Sequence, residues 1–471
     1  MQPEEFRKHA HEFVDWMADY MKNVENYPVK SQVKPKDIYK QLPGAIPERG
    51  QQIDVIFKDF QDIIMPGITH WQHPAFFAYF QANSSPPSVL AEMLMATLGV
   101  QGMKWDTSPT STELEERMME WLRDAMGIPK DWSGVIQDTA TNATLTSILT
   151  AREQRSKQAV NEKGFQGQPV FRIYCSTETH SSIEKGAKIA GIGKQNVVKI
   201  PVDDQMRLRP DLLEAAIKKD LEAGLQPLCI VAALGTTGTL ALDPVDELGN
   251  VAQKYNVWLH IDAAYAGSAL LLPEYQHLIK GLEKADTFVF NPHKWLFTNF
   301  DCSVYFVKNN HALINTFAIL PEYLKTTNDG LVNNHCDWGI PLGRRFRSLK
   351  LWFVLRYYGL HGLQEKLRYH INLAKWIEEQ IAQNPDFELI VPRNLNLVCF
   401  HYKPQQVDAT DKINELNEKL LQKINATGKA YFTHTKVNGV YAIRMSIGQT
   451  NVKKEHIEKA WHLLQETVTY E

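Results

Sequence analysis

The sequence predicts an α/β fold with a mostly parallel central sheet, preceded by a helical segment and followed by a small C-terminal α/β domain. Short apolar runs alternate with helical stretches through the middle of the chain, which is typical of parallel strands joined by crossover helices. Pro210 and Pro244 stand where two of these helices begin, since proline is favoured in a first turn. A chain of 471 residues can also bury a large core and usually forms more than one domain.

The chain divides into three predicted parts: residues 1–85, 86–352 and 353–471. The first part contains two amphipathic helices whose broad apolar faces cannot make a core alone, so we expect them to pack on a partner subunit. These faces comprise Phe6, Phe13, Met17 and Tyr20 on one helix and Ile53, Ile56, Phe57, Phe60, Ile63 and Ile64 on the other.

Strands of the large domain are predicted at 133–137, 171–175, 197–200, 228–233, 257–261 and 287–290. The last part is predicted to contain helices at 363–383, 412–424 and 452–468 and strands at 387–391, 397–401, 429–433 and 440–447.

Lys294 follows the apolar run 287–290 and lies between His293 and Trp295. A lysine is costly to bury unless it is paired or used. Desolvation lowers the pKa of a lysine and makes its amine a nucleophile toward aldehydes. An exposed lysine in a turn is the plainer interpretation, and a second residue weighs against it.

That residue is Asp262, which directly follows the apolar strand 257–261. Ligands bind at the carboxyl ends of strands in open α/β sheets. One crossover, with helical material near 274–284, fits between Asp262 and Lys294, so their strands can be neighbours. An aspartate facing a lysine suits pyridoxal phosphate (PLP), because the lysine bonds the aldehyde and the aspartate keeps the pyridine nitrogen protonated. A helix cap or a structural hydrogen bond remains the alternative for Asp262.

Two further segments suit the same cofactor. The strand 133–137 runs into Asp138, Thr139, Ala140 and Thr141 and then into a helix. Free N–H groups and hydroxyls at a helix N-terminus can bind phosphate, although threonine is also an ordinary N-cap. His180 follows the strand 171–175 and could stack on a pyridine ring, but a lone histidine is more often a hydrogen-bonded polar residue.

Several motifs together resemble the group II PLP-dependent decarboxylases, and among them the aromatic-L-amino-acid decarboxylases. The resemblance runs from Phe6 to the last helix. It implies the fold type I, aspartate-aminotransferase-like architecture of PLP-dependent transferases, and a homodimer with active sites at the subunit interface. The matching motifs are Asn291-Pro292-His293-Lys294-Trp295, the segment 260–267, Gly235-Thr236-Thr237, Thr179-His180-Ser181-Ser182 and the segment 340–350.

The resemblance implies decarboxylation of aromatic L-amino acids, such as tryptophan, DOPA, tyrosine or phenylalanine, to the amine and carbon dioxide. It implies catalytic roles for Lys294, Asp262, His180 and Tyr323. Tyr323 would protonate Cα from a mobile loop, and aldehyde-synthase relatives usually carry phenylalanine there. The implied cofactor contacts, besides Lys294, Asp262 and His180, are Thr139, Ala140 through its backbone, Thr141, Thr237, Asn291 and His293.

The implied substrate pocket is mainly aromatic. Gln101 and Met103 are expected to reach in from the partner subunit. Gly343 leaves space and favours larger rings such as an indole or a catechol. The matching positions are Trp71, Tyr79, Phe80, Ala82, Gln101, Met103, Phe300 and Gly343.

Composition excludes several other classes. A formal net charge of -3 gives no case for nucleic acid or an anionic membrane. No long uncharged apolar run, signal peptide or Gly-x-Gly-x-x-Gly motif is visible, so we expect no transmembrane helix and no nicotinamide cofactor. Five scattered cysteines suit a reducing compartment, and we expect a cytoplasmic protein. His70 and His73 have no neighbours in the sequence that complete a metal site.

Three other functions stay open from the sequence. One is an aldehyde synthase on the same scaffold, which Tyr323 disfavours. Another is a decarboxylase of a different amino acid, such as histidine or glutamate; an acidic side chain would need a basic partner that the pocket positions lack. The third is a silent binding protein that uses Arg344, Arg345 and Arg347 as a basic patch.

Overall fold

The computed structural model describes residues 1–319, 328 and 330–469. Within these residues the chain forms two compact units. One comprises Met1–Gln81, Lys375–Ile390 and Cys399–Glu471, and the other comprises Ala82–Ala374 and Val391–Val398. These units end near residues 81 and 374, and the predicted three-part division stays a prediction.

The strands, in chain order, are β1 Ser133–Gln137, β2 Phe171–Ser176, β3 Val197–Ile200, β4 Gln226–Ala233, β5 Trp258–Asp262, β6 Thr287–Phe290, β7 Ser303–Val307, β8 Phe387–Leu389, β9 Leu397–Tyr402, β10 Thr433–Val437 and β11 Val440–Ser446.

The α-helices are α1 Pro3–Asn23, α2 Asp37–Gln41, α3 Ile53–Asp59, α4 Pro86–Leu98, α5 Pro109–Met126, α6 Ala140–Ser156, α7 Ala159–Lys163, α8 Ser182–Ile189, α9 Pro210–Glu222, α10 Val245–Tyr255, α11 Pro292–Trp295, α12 Asn310–Phe317, α13 Arg347–Gln383, α14 Thr410–Ala426 and α15 Lys454–Thr469.

The larger unit is built on a sheet with the strand order β1-β7-β6-β5-β4-β2-β3. The strands from β2 to β6 pair in parallel, which confirms the predicted sheet. β7 was not predicted; it inserts between β1 and β6 and runs antiparallel to both. Alternate residues of β2 and β4, among them Ile173 and Val231, pack with α6 and α8 in one apolar cluster, since successive side chains of a strand point to opposite faces.

The connection from β5 to β6 differs from a regular crossover helix. It consists of short 3₁₀ segments at Ala266–Leu271, Pro273–Ile279 and Leu282–Lys284. β5 and β6 are nevertheless parallel neighbours, as their predicted crossover required, and Asp262 lies opposite Val289.

The smaller unit contains an antiparallel sheet with the order β10-β11-β9-β8. The predicted strand at 429–433 is wrong, because β10 begins only at Thr433. Tyr431 uses its backbone elsewhere: its N–H donates to Ala75 O (3.2 Å) and its C=O accepts from Phe77 N–H (2.9 Å). The segment before β10 therefore pairs with the N-terminal part of the chain.

The two N-terminal helices contact each other through aromatic rings, with Phe13 and Phe57 stacked at 4.4 Å between centroids. Apolar side chains remain exposed on both helices, including Phe6 at 58% and Ile56 at 47%. Packing of this face on a partner subunit stays a prediction.

α13 extends the helix predicted at 363–383 toward the N-terminus. Gly359 breaks it with φ 64° and ψ 170°, which explains why the helical pattern in the sequence begins only after this residue. No helix in the described part of the chain is long and apolar enough to span a bilayer.

Candidate active site

Asp262 and Lys294 lie at the same edge of the central sheet. Asp262 is the last residue of β5, and Lys294 lies in the short helix α11 that follows β6. Asn291, between β6 and α11, donates its N–H to Ala264 O (3.0 Å) and accepts from Lys294 N–H (2.9 Å). These bonds tie the ends of both strands together, so the two side chains share one edge.

Electrostatics link these two residues to His180. Desolvation lowers the pKa of Lys294, and the Asp262 carboxylate opposes this shift. Desolvation by the surrounding protein also lowers the pKa of His180, although the residue as a whole is exposed. Asp262 raises that pKa, and Lys294 lowers it. An acid, a base and an imidazole therefore lie within electrostatic reach of one another, and Asp262 is only 8% exposed.

Local hydrogen bonds orient two of these groups. Asp262 Oδ1 accepts from Ala264 N–H at 3.1 Å. His180 Nδ1 accepts from Ser182 N–H at 3.2 Å and lies 2.9 Å from Ser182 Oγ. The imidazole is thus held by the first turn of α8, in a position where it can receive a planar group.

Thr139, Ala140 and Thr141 form the N-terminus of α6, immediately after β1. Thr139 is the N-cap, and its Oγ1 accepts from Asn142 N–H at 3.3 Å. All three residues are half-buried. Free N–H groups of a first turn, beside threonine hydroxyls, are a suitable donor set for a phosphate.

A buried polar network, which the sequence did not reveal, holds α6 on the sheet. His260 Nε2 lies 3.2 Å from Thr144 Oγ1, and His260 Nδ1 lies 2.8 Å from Thr287 Oγ1. Thr287 also bonds Ser147 at 2.8 Å. Burial lowers the pKa of His260 to about 4, so the imidazole is neutral at pH 7. The signal in the sequence is a pair of hydroxyl residues, Thr144 and Ser147, one helical turn apart on α6.

The remaining cofactor positions next to Lys294 are deeply buried. Asn291 Oδ1 accepts from Ser303 Oγ at 2.7 Å. His293 Nδ1 accepts from Cys302 N–H at 2.9 Å, and burial lowers the His293 pKa to about 3. Thr237 differs from these residues, since it is exposed in the loop after β4.

Asn83 is a site residue that the sequence did not reveal. Its N–H donates to His293 O at 2.9 Å, and its Nδ2 donates to Lys294 O. Ser85 continues this contact by donating its Oγ to Phe297 O at 2.7 Å. The run Asn83-Ser84-Ser85 before α4 is the only hint in the sequence, and it equally suits a helix cap.

The structure brings two of the predicted pocket positions, Gln101 and Gly343, together in one chain. A Cβ added at Gly343 would lie 3.2 Å from Gln101 Nε2. Arg344 N–H donates to Gln101 Oε1 at 2.5 Å. Met103 belongs to the same region, since its C=O accepts from Cys336 N–H at 2.9 Å. Entry of these side chains into a partner's pocket stays a prediction.

The other positions predicted for a pocket are Phe300 and Ala82 in the larger unit and Trp71, Tyr79 and Phe80 in the smaller unit. Phe300 is 58% exposed, and its ring lies 4.7 Å from that of His293. Ala82, at the start of the larger unit, is half-buried beside Asn83. In the smaller unit, Trp71 stacks on Tyr79 at 5.8 Å, and the Arg444 guanidinium lies 5.3 Å from the Phe80 ring centroid.

Tyr323 lies outside the described residues.

His70 and His73 take part in hydrogen bonds: His70 Nδ1 lies 2.8 Å from Tyr20 Oη, and His73 Nδ1 accepts from Ala75 N–H at 2.9 Å.

The arginines that could have formed a basic patch are paired inside the unit. Arg344 contacts Glu115 at 2.6 Å, Arg347 contacts Asp301 at 2.7 Å, and Arg345 contacts Glu92. These ion pairs argue against a basic patch, because the charges hold the segment to its neighbours.

Comparison with known proteins agrees with this geometry. Residues 35–403 match the family described as "Pyridoxal-dependent decarboxylase conserved domain". The chain is 41% identical to a phenylacetaldehyde synthase of Arabidopsis thaliana, over 100% of this chain and 97% of that protein. It is also 41% identical to a tyrosine decarboxylase of Papaver somniferum, over 99% and 95% of the two chains.

A solved structure has the same fold. Oryza sativa TDC, crystallised with PLP and tryptamine, superposes with a TM-score of 0.97 at 34% identity, covering 100% of this chain and 99% of that one. The donor set at the sheet edge fits PLP: an aspartate for the pyridine nitrogen, a lysine for the aldehyde and a helix N-terminus for the phosphate. The chain belongs to the pyridoxal-dependent decarboxylase family and is a PLP-dependent carboxy-lyase.

Proposed function

We propose that this enzyme decarboxylates aromatic L-amino acids to the corresponding amines. The observation that carries the proposal is the shared sheet edge at which Asp262, His180 and Lys294 influence one another electrostatically. When bound, PLP supplies an aldehyde that captures the substrate amine and a ring that takes up the electrons left when carbon dioxide departs.

Lys294 and Asp262 have complementary roles in the proposal. The lowered pKa of Lys294 gives more neutral amine at pH 7, and a neutral amine is the nucleophile that the PLP aldehyde needs. Asp262 holds a proton on the pyridine nitrogen, because its buried carboxylate stabilises the positive ring. His180 would lie against the ring when the cofactor is bound.

The phosphate is assigned to the N-terminus of α6. The hydroxyls of Thr139 and Thr141 and the backbone N–H of Ala140 are the donors, and the helix dipole favours the anion. The remaining cofactor contacts are assigned to Asn291, His293 and Thr237.

An aromatic substrate is supported by the relatives and by the pocket positions. The relatives are named for phenylacetaldehyde and tyrosine, and the solved neighbour holds tryptamine. None of the predicted pocket positions is basic, and the cations of the neighbouring segment are engaged by Glu92, Glu115 and Asp301. An acidic substrate would need a basic partner, which these positions do not supply. The absence of a side chain at Gly343, beside Gln101, favours an indole or a catechol over a small phenol.

Aldehyde synthesis is the second candidate, because the Arabidopsis thaliana relative carries that name at the same identity as the decarboxylase. The two reactions differ in what happens at Cα after carbon dioxide leaves. Protonation gives the amine, whereas oxidation by O2 followed by hydrolysis gives the aldehyde, ammonia and hydrogen peroxide. The Tyr323 hydroxyl is the proposed proton source, so amine formation is the favoured outcome.

Two further features belong to the proposal. The enzyme is a homodimer with active sites at the subunit interface, supported by the exposed apolar side chains of α1 and α3. It works in the cytoplasm, supported by five buried cysteines that are all free thiols.

A product assay with purified enzyme and PLP tests the proposal. Carbon dioxide, amine, aldehyde and hydrogen peroxide are measured under air with tryptophan, tyrosine, DOPA, phenylalanine, histidine and glutamate. We expect carbon dioxide and amine in equal amounts from one or more aromatic substrates. Equimolar aldehyde and peroxide would support the second candidate, and turnover confined to histidine or glutamate would refute both.

A further inference from the structure

β1 lies at the edge of the central sheet and pairs with β7 on one side only. Two side chains take the place of a strand on its open side. Glu115 of α5 accepts from Ile136 N–H at 2.8 Å, and Arg344 Nη2 donates to Ile136 O at 2.7 Å. Edge strands expose unpaired backbone groups, and here one charged pair satisfies both groups of the same residue.

The charged pair is buried and self-contained. Glu115 is 1% exposed, Arg344 is 9% exposed, and Arg344 Nη2 lies 2.6 Å from Glu115 Oε1. Burial alone would raise the pKa of Glu115, but Arg344 and the other neighbours hold it below its ordinary value. Burial lowers the pKa of the adjacent His335 to about 4, so that imidazole is neutral and adds no charge at pH 7. Removing one partner would therefore leave an uncompensated buried charge.

The pair lies between the strand that leads to the phosphate loop and the segment that contains Gly343. Ile136 is two residues before Asp138, where the phosphate loop at the N-terminus of α6 begins. Arg344 directly follows Gly343, and its backbone bonds Gln101 Oε1 at 2.5 Å and Gly102 N–H at 2.9 Å. Arg344 thus bonds the strand that leads to the phosphate loop and the predicted pocket position Gln101, and it directly follows Gly343 in the chain.

We propose that Glu115 and Arg344 are positioning residues that couple the phosphate loop to the substrate-recognition segment around Gly343 and Gln101. This inference rests on the proposed function, because it assigns those two segments to cofactor and substrate. If the pair is lost and either segment shifts, both the affinity for PLP and the preference for ring size change. Loss of a residue that only supports folding changes the stability of the protein alone.

The chain offers a matched control in Arg345. It lies in the same segment and pairs with Glu92, but its side chain is 49% exposed and it makes no contact with Ile136 in the described structure. Arg345→Gln removes the same charge one position away. The test variants are Glu115→Gln, Arg344→Gln and the apolar double variant Glu115→Leu/Arg344→Met, which removes both charges together.

Two readouts are measured on each folded variant. One is the dissociation constant of PLP from titration of the apoenzyme, and the other is the ratio of kcat/KM for tryptophan to that for tyrosine. We expect the test variants to weaken PLP binding by about tenfold or more and to move the substrate ratio by about fivefold or more, since small displacements of positioned groups have effects of this size. Arg345→Gln should stay within about twofold on both readouts. Test variants that match the wild type, or an equal effect of Arg345→Gln, would overturn the proposal.

A wild-type measurement covers the case in which the variants do not fold. Hydrogen exchange is followed in peptides covering 134–137 and 343–346, in the apoenzyme and after addition of PLP. We expect both segments to gain protection together. Protection confined to the first segment would overturn the coupling. This measurement needs no turnover, so its failure is distinct from failure of the proposed function, which the product assay of the wild type reveals by itself.

Discussion

Gly343→Ser tests whether the absence of a side chain at this position sets ring preference. The φ angle of Gly343 is not in the left-handed region, so serine can adopt this backbone without strain. Any effect of the substitution must then come from the added side chain and its neighbour Gln101.

The magnitude follows from the contact with Gln101. The new Cβ would lie 3.2 Å from Gln101 Nε2, which is tighter than an ordinary van der Waals contact. Gln101 cannot move away freely, because its Oε1 accepts from Arg344 N–H at 2.5 Å, and losing such a bond costs about 0.5–1.5 kcal/mol. If Gln101 stays, the hydroxymethyl group enters the space proposed for the substrate ring. A group of that size changes discrimination by roughly 1–3 kcal/mol, so the preference for indole over phenol should fall about tenfold or more.

The assay compares kcat/KM for tryptophan and tyrosine in the wild type, Gly343→Ser, Gly343→Ala and Gly343→Ser/Gln101→Ala. We expect a smaller shift for Gly343→Ala, which lacks the hydroxyl, and partial recovery in the double variant, which removes the obstructing amide. Equal losses on both substrates in Gly343→Ser would refute the reasoning and leave the residue a role in folding alone.

Lys294→Ala should reduce turnover by at least about three orders of magnitude, since a nucleophile and a proton carrier are lost together. Borohydride should fix PLP to the wild type but not to this variant; near-normal turnover would mean that another lysine serves. Asp262→Asn should fold but lose most activity, because an amide does not stabilise the charged pyridine nitrogen. An unchanged kcat in this variant would remove the carboxylate from the mechanism. Tyr323→Phe should lose amine formation by roughly two orders of magnitude and release aldehyde and peroxide instead. Amine produced at the wild-type rate under air would exclude the tyrosine as the proton donor. Burial lowers the pKa of His260 to about 4 and of His370 to about 3. The unfolded chain, with histidine pKa values of about 6.5, therefore takes up protons first as the pH falls, and near pH 5.5 each histidine should cost about 1 kcal/mol of stability. Urea midpoints of the apoenzyme at about pH 7.5 and 5.5 measure this, and a midpoint that does not fall would contradict it.

The sequence by itself determined the class of fold and predicted which residues form the reactive site. Strands of the parallel sheet are short apolar runs, so their ends could be located within one or two residues, and the side chains that follow those ends were visible at once. Lys294 and Asp262 were predicted to share a sheet edge because one crossover separates them, and β5 and β6 are indeed neighbours.

Only the tertiary structure decided how these residues are held. β7 separates β1 from β6, although nothing in its own residues specifies that position. Asn83 bonds the backbone of Lys294 from 211 positions away in the chain. The run of charges around Arg344 is typical of a surface segment, but the structure buries Arg344 against Glu115. The physical reason is common to all three cases. The periodicity of a sequence indicates which way a residue faces within its own helix or strand. Hydrogen bonds and ion pairs between distant segments depend on how those elements pack, and such packing leaves no local pattern in the sequence.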